Sequence, residues 1–258
     1  MMIAEIHNVN RYEILDVSFD LVDQQTVFES IMQWRETQHQ NYITLVNPHS
    51  VLLCNRDEQM SQAISDAGLT LPDGAGIILA ANILGYKNHG RLTGPNLMLK
   101  LCDWGRQFGY RHYFYGGKEG VADMLAQKLS DMYPGLQVAG TFYPPFRPLG
   151  DEEDNAVVEK INAANPDIVW VGLGAPKQEK WIAQHLGAIN ATVMIGVGAA
   201  FDFHSGNVKW APALIRKLGM EWAWRLACEP KRMWRRNLDS PLFLAKVIFQ
   251  RLNLIKCS

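Results

Sequence analysis

The sequence has few of the marks that give a chain's chemistry away. It contains no Asp-x-Asp, no His-Glu-x-x-His and no CxxC, and its four cysteines (Cys54, Cys102, Cys228, Cys257) lie far apart. These absences argue against a bound metal and point to reduced, cytosolic thiols. Asp202 and His204 alone make too small a ligand set to change that. There is no Gly-x-Ser-x-Gly elbow, which counts against a serine hydrolase, although a Ser-His-Asp triad has no fixed spacing. No stretch reaches the roughly 18–20 apolar residues that cross a bilayer. The best, 242–255, is broken by Lys246, Gln250, Arg251 and Asn253. Residues 1–5 lack the basic start and apolar core of an export signal, so none is expected.

The 258 residues are 48% hydrophobic and 20% charged, enough for a large core in one domain or a main domain with an attachment. The net charge of −1 conceals an imbalance: residues 209–258 carry +8 and the preceding 208 carry −9. One end is therefore suited to an anionic partner.

Hydrophobic periodicity predicts alternating strands and helices. Short strand runs fall within 12–22, followed by a helix over 25–38, a buried strand over 42–46 and a helix over 49–67. A strand at 69–71 stops at Pro72 before a helix over 75–84, and another helix over 95–108 is entered through Gly94-Pro95. Further strands lie at 112–115, 136–139, 168–171 and 192–195, with helices over 118–132, 151–163 and 177–187. Such alternation specifies an α/β fold, a mostly parallel sheet flanked by helices, with ligands beyond the C-terminal strand ends. That puts Thr44, Asn47, Asp73, Gly116, Gly174, Gln178 and Gly198 on one rim. Past about 208 the pattern is helical only, with segments 212–218, 221–227, 231–238 and 241–254 punctuated by Pro230 and Pro241. The expected division is an α/β core over 1–205 and a basic amphipathic, membrane-associating helical appendage over 206–258.

Asp73 is the residue the rest is organised around. It lies between Pro72 and Gly74, where it can cap the next helix or be held at a strand end as a general base. Spacing does not separate the two. Thr44 and Asn47 bracket a strand end and can hold a sugar or a diphosphate, or simply terminate the strand. Arg91 and Thr93 precede a helix, as phosphate contacts or as a surface charge and a cap. Gly116-Gly117 and the run from Gly172 to Gln178 each join a strand to a helix. Backbone N–H groups there can hold an anion and Gln178 can read a base or sugar, or these are small-residue turns and a helix-surface side chain. Neither loop is a Walker loop or a full dinucleotide fingerprint. In the tail, Arg225, Arg232, Arg235 and Arg236 are interleaved with Trp222, Trp224, Met233 and Trp234, a composition suited to a water–lipid interface and diphosphate head groups. Nucleic acid is the rival anionic partner, disfavoured by the Trp and Leu density and the lack of a reader motif, and a solvated, core-packing helical tail is the third reading.

Taken in chain order, several runs resemble the WecG/TagA/CpsF glycosyltransferases (glycosyltransferase family 26). They are Thr44-Leu45-Val46-Asn47-Pro48, Leu71-Pro72-Asp73-Gly74, Arg91-Leu92-Thr93-Gly94, Gly172-Leu173-Gly174-Ala175-Pro176-Lys177-Gln178-Glu179 and Gly196-Val197-Gly198-Ala199-Ala200-Phe201-Asp202. Gly219-Met220-Glu221-Trp222, Arg225 and Glu229-Pro230-Lys231-Arg232 complete the set. The resemblance implies a Rossmann-like core and an inverting, metal-independent hexosyltransferase with no cofactor. Such an enzyme moves a hexose, of the UDP-glucose or UDP-N-acetylmannosamine type, from a nucleotide-sugar donor to a polyprenyl-diphosphate-linked sugar acceptor. The β-glycosidic product belongs to bacterial exopolysaccharide or cell-surface polymer synthesis. The implied place is cytoplasmic, peripheral on the inner face of the cell membrane, with no nucleic acid as partner and a homo-oligomer left open. It also implies Asp73 as general base, Thr44, Asn47, Arg91 and Gln178 in the pocket, and Arg225 and Arg232 reaching the diphosphates. One departure is Trp210-Ala211-Pro212, where many relatives have Arg-Ala-Pro; Lys209 stands beside it. That departure tilts the donor expectation toward UDP-glucose. Two other classes stay open: a non-catalytic nucleotide-sugar-binding regulator and a nucleic-acid-binding α/β protein.

Overall fold

The computed structural model describes residues 10–87 and 92–252, with the side chains of 232 and 235–238 left outside that description. A hairpin of β1 (Arg11–Ile14) and β2 (Val17–Asp20) comes first. Leu15 and Asp16 turn it with φ of +50° and +67°, the positive pair that matches strand twist in a two-residue loop. α1 (Gln24–Glu36) follows, its cap Asp23 accepting from the Thr26 N–H.

Six strands then form one sheet: β3 (Asn41–Val46), β4 (Leu69–Pro72), β5 (Arg111–Gly116), β6 (Gln137–Phe142), β7 (Ile168–Gly172) and β8 (Val193–Gly196). Their order is β4-β3-β8-β7-β5-β6 and every neighbouring pair is parallel. The connections carry α2 (Pro48–Cys54), α3 (Glu58–Ser65), α4 (Ala75–Leu84), α5 (Gly94–Gly105), α6 (Val121–Met132), α7 (Asp151–Ala163) and α8 (Lys177–His185). After β8 come α9 (Ala200–Ser205), α10 (Ala213–Lys217), α11 (Glu221–Cys228) and α12 (Pro230–Arg251). The sheet is the α/β arrangement that the alternation predicts.

Central parallel strands are covered on both faces, which is why runs such as Tyr42-Ile43-Thr44-Leu45-Val46 read as continuously apolar. Ile43, Leu45, Leu71, Trp170 and Ile195 face one core, with Leu97, Leu101, Leu125 and Leu129 from α5 and α6. Tyr42, Tyr115, Val169 and Val171 face the other, under Trp181 and Ile182 of α8. A third patch joins Ile14 and Phe19 of the hairpin to Val51 and Leu52 of α2, Ile77 and Ala80 of α4, and Phe243 and Val247 of α12.

Two helical expectations need correcting. The segment 49–67 is two helices, because Asp57 accepts from the Met60 N–H as the cap of α3 and pairs with Lys180 at 2.6 Å. A side chain that caps a new helix competes with continuing the old one. Conversely, Pro241 does not divide the tail: α12 runs through it. An interior proline costs roughly 3 kcal/mol. Burying Phe243 and Val247, both 0% exposed, returns about 1.5–3 kcal/mol each, so packing outweighs the break. Among the described residues no helix is long and apolar enough to cross a membrane.

Candidate active site

A cleft of about 660 Å³ opens at the C-terminal ends of β3, β4, β7 and β8, closed on its outer side by α11 and α12. Asp73 lies on its wall. The Asp73 N–H donates to the Val46 carbonyl at 2.9 Å, extending the β3–β4 ladder one residue beyond Pro72. Gly74 then takes φ of +87° and occupies the cap position of α4. That backbone is strained for any residue with a Cβ. The glycine, not the aspartate, is therefore the N-cap, and Asp73 stands one place outside the helix with its half-buried side chain on the cleft.

Asn47 lines the same cleft and has a structural task as well. Its Oδ1 accepts from the Ser50 N–H at 3.1 Å and caps α2. Thr93 begins α5 without making a cap bond. Thr93 lines the cleft and is 3% exposed, and its buried hydroxyl has no partner among the described residues. Buried hydroxyls are nearly always satisfied, so one left unpaired in a side chain beside a cavity is suited to a ligand.

Gln178 is 5% exposed and joins two loops. Its Oε1 accepts from the Gly174 N–H at 3.3 Å and from the Gly198 N–H at 3.1 Å, while its Nε2 donates to Glu179 Oε1 at 2.7 Å. The loop after β7 and the loop after β8 are thus fastened by one amide. Gly174, Gly198, Gln178 and Glu179 all line the cleft. Gly116 does not; its backbone abuts Gly172, where an added Cβ would sit 2.7 Å from the Gly172 carbonyl carbon. The next residue, Gly117, is the one on the cleft.

Thr44 points away from the cleft. Its hydroxyl is 1% exposed and lies 3.2 Å from that of Thr70, and the alternation of β3 brings Leu45 to the cleft instead. Arg225, on α11, does line the cleft, its guanidinium 5.5 Å from the Phe203 ring. Arg91 lies outside the described residues, as does the side chain of Arg232.

Several cleft residues escape a sequence reading. Glu179 is a carboxylate only 2% exposed. Burial first, and Glu179 second, push the nearby Cys54 thiol up to about 12. His49 lines the cleft from α2, its Nδ1 2.5 Å from Asp239 Oδ2 on α12. No local signal joins residues 190 positions apart. Asp202, Phe203, Glu221 and Trp222 complete the wall near Arg225. Trp210 stands behind them: it stacks on Phe203 at 6.1 Å, carries Arg216 over its ring at 3.8 Å and donates from Nε1 to Glu221 at 3.1 Å. His204 gives its Nε2–H to the Pro95 carbonyl at 2.8 Å, and burial holds its pKa below the usual histidine range. Among the described residues no group of three or more His, Cys, Asp or Glu could hold a metal ion.

Known proteins match the chain along nearly its whole length. Residues 12–256 match the family described as "Glycosyl transferase WecG/TagA/CpsF family". An N-acetylglucosaminyldiphosphoundecaprenol N-acetyl-beta-D-mannosaminyltransferase of Bacillus subtilis (strain 168) is 33% identical over 212 residues, covering 82% of this chain and 80% of the relative. A protein of the same description from Staphylococcus aureus (strain NCTC 8325 / PS 47) is 30% identical over 252 residues, covering 96% of each. That from Bacillus spizizenii (strain ATCC 23059 / NRRL B-14472 / W23) is 31% identical over 207 residues, covering 80% of this chain and 78% of its own. The chain belongs to the WecG/TagA/CpsF glycosyltransferase family.

Proposed function

We propose that the protein is an inverting, metal-independent hexosyltransferase that moves a sugar from a UDP-sugar donor to a polyprenyl-diphosphate-linked sugar. The observation that carries this reading is Asp73 on a cleft whose outer wall brings in Arg225. Asp73 accepts the proton of the acceptor hydroxyl as that oxygen attacks the anomeric carbon. Attack from the face opposite the leaving group turns an α-linked donor into a β-linked product. Arg225, joined by Arg91 and Arg232, offsets the negative charge that grows on the departing nucleotide diphosphate, a task a divalent metal performs elsewhere. Thr93 and Asn47 offer a hydroxyl and an amide to the sugars, and the loops clipped by Gln178 present backbone N–H groups to the phosphates. Thr44 and Gly116 support these contacts from behind.

The relatives are described as N-acetyl-beta-D-mannosaminyltransferases, which favours N-acetylmannosamine as the sugar that the UDP donor carries. Trp210 keeps UDP-glucose as the second candidate. Residues 206–258 serve as the appendage that brings the enzyme to the cytoplasmic membrane face. Their charge of +8 and the exposed Leu214, Leu218, Trp222 and Trp234 support this. The test is a UDP-sugar panel with polyprenyl-diphosphate-sugar acceptors, with and without EDTA. Transfer unchanged by EDTA from one UDP-hexose is the expected result. UDP-sugar binding without transfer to any acceptor would instead identify a regulator.

A further inference from the structure

Beside the cleft, across α4, lies a second depression of about 640 Å³ between α4, the start of α5 and α10. The two share Ala75, Leu79 and Gly219 in their walls, so they adjoin. The depression has two kinds of lining. One side is apolar: Ile78 and Leu79 of α4 face Leu218 after α10, with Leu79 48% and Leu218 64% exposed. The other is cationic and amide-bearing, with Arg216, Lys217, Asn82 and Asn96, and no carboxylate belongs to the described lining. Arg216 is held there by its stacking on Trp210, and its Nε is buried without a partner among the described residues. Apolar exposure continues outward onto Leu214 of α10.

We infer that this depression is the channel for the acceptor's hydrocarbon chain. A ligand that enters here needs an apolar body to lie on Ile78, Leu79 and Leu218, and an anionic group beside Arg216 and Lys217. A lipid diphosphate has both, joined in one molecule. Because the two spaces adjoin at Ala75, Leu79 and Gly219, a chain lying between α4 and α10 sets its anionic end and sugar toward the cleft. A nucleotide-sugar has no apolar body and leaves the apolar side of this lining unused. The inference rests on the transfer reaction proposed above and adds where the lipid lies.

Ile78 and Leu218 line the depression but not the cleft, so they test the channel without touching the chemistry. The experiment measures transfer in detergent solution, without vesicles, from the active UDP-sugar to two acceptors. One carries a long isoprenoid chain and the other the same diphosphate-sugar on a short, water-soluble alkyl chain. Wild-type protein should have a lower KM for the long-chain acceptor. The double variant Ile78→Ser with Leu218→Gln should raise that KM about tenfold, leaving the short-chain KM, the donor KM and kcat unchanged. Lys217→Gln should raise the KM of both acceptors and spare the donor. An equal penalty on long and short chains, or none, overturns the channel while the transferase reading stands. No transfer by wild-type protein to either acceptor removes the reading on which the channel depends.

Discussion

Truncating Phe243 to alanine removes a side chain that is 0% exposed and packs in one patch with Val51, Leu52, Ile77 and Ala80 from two other helices. A fully buried phenyl contributes about 1.5–3 kcal/mol in transfer from water. The cavity it leaves brings the usual total to about 3–5 kcal/mol. α12 already bears Pro241 in its interior, so it has little spare stability of its own. With an m-value of about 3 kcal/mol per molar urea, the unfolding midpoint should fall by about 1–1.7 M. Tryptophan fluorescence and far-UV circular dichroism across a urea series measure it, with limited proteolysis alongside. A coincident shift of both probes means that α12 belongs to the cooperative core. If α12 were a loosely attached arm, the global midpoint would stay within about 0.3 M of wild type and only the arm would become protease-sensitive. That outcome would refute the packing argument. The same packing makes deletion of 209–258 a poor test of membrane binding, because it strips Phe243 and Val247 from the core.

Other expectations follow from single groups. Asp73→Asn should keep the fold and lower kcat by about 10²–10⁴, read in the UDP-sugar transfer assay; near wild-type turnover rejects the base assignment. Gln178→Leu leaves two loop N–H groups without this acceptor and removes one donor from Glu179, a cost of ~2–4 kcal/mol visible as a lowered urea midpoint. Burial lowers the His112 pKa to about 3, so the folded state favours the neutral ring. The unfolded chain binds this proton first as pH falls below about 6.5, so the stability from His112 is intact above that value. It is lost at up to about 1.4 kcal/mol per pH unit down to about 3, and His112→Gln should flatten that slope in urea titrations at stepped pH. Cys54, raised to about 12, should resist iodoacetamide at pH 8 while the exposed Cys228 reacts, as peptide mass mapping can show.

Much of the fold is legible because strands and helices leave different periods in the sequence. The strand ending at Pro72 and the glycine that follows it locate Asp73 with no need for tertiary information. The face of a strand is harder. With both sides of β3 buried, Tyr42 to Val46 carries no polar alternation to say whether Thr44 or Leu45 meets the cleft. Proline misleads in the tail because Phe243 and Val247, two and six residues later, find partners on α2 and α4 that no local pattern announces. The His49–Asp239 contact and the burial of Glu179 are likewise products of assembly. Gln178 stands out in sequence as a polar residue after a glycine-rich loop, but its two backbone acceptances become visible only when β7 and β8 lie side by side.

The patch that unites the hairpin with α12 sets a timetable for the newborn protein. The Leu15 N–H reaches Gln250 Oε1 at 3.1 Å across 235 positions of chain, and Ile14 and Phe19 share their cover with Val247. At translation speeds of about 5–20 residues per second, those side chains wait roughly 12–50 s on the ribosome before their partners exist. During that interval the growing polypeptide shows a greasy, unfinished surface, which makes it a natural client for chaperones and a candidate for slow, late closure.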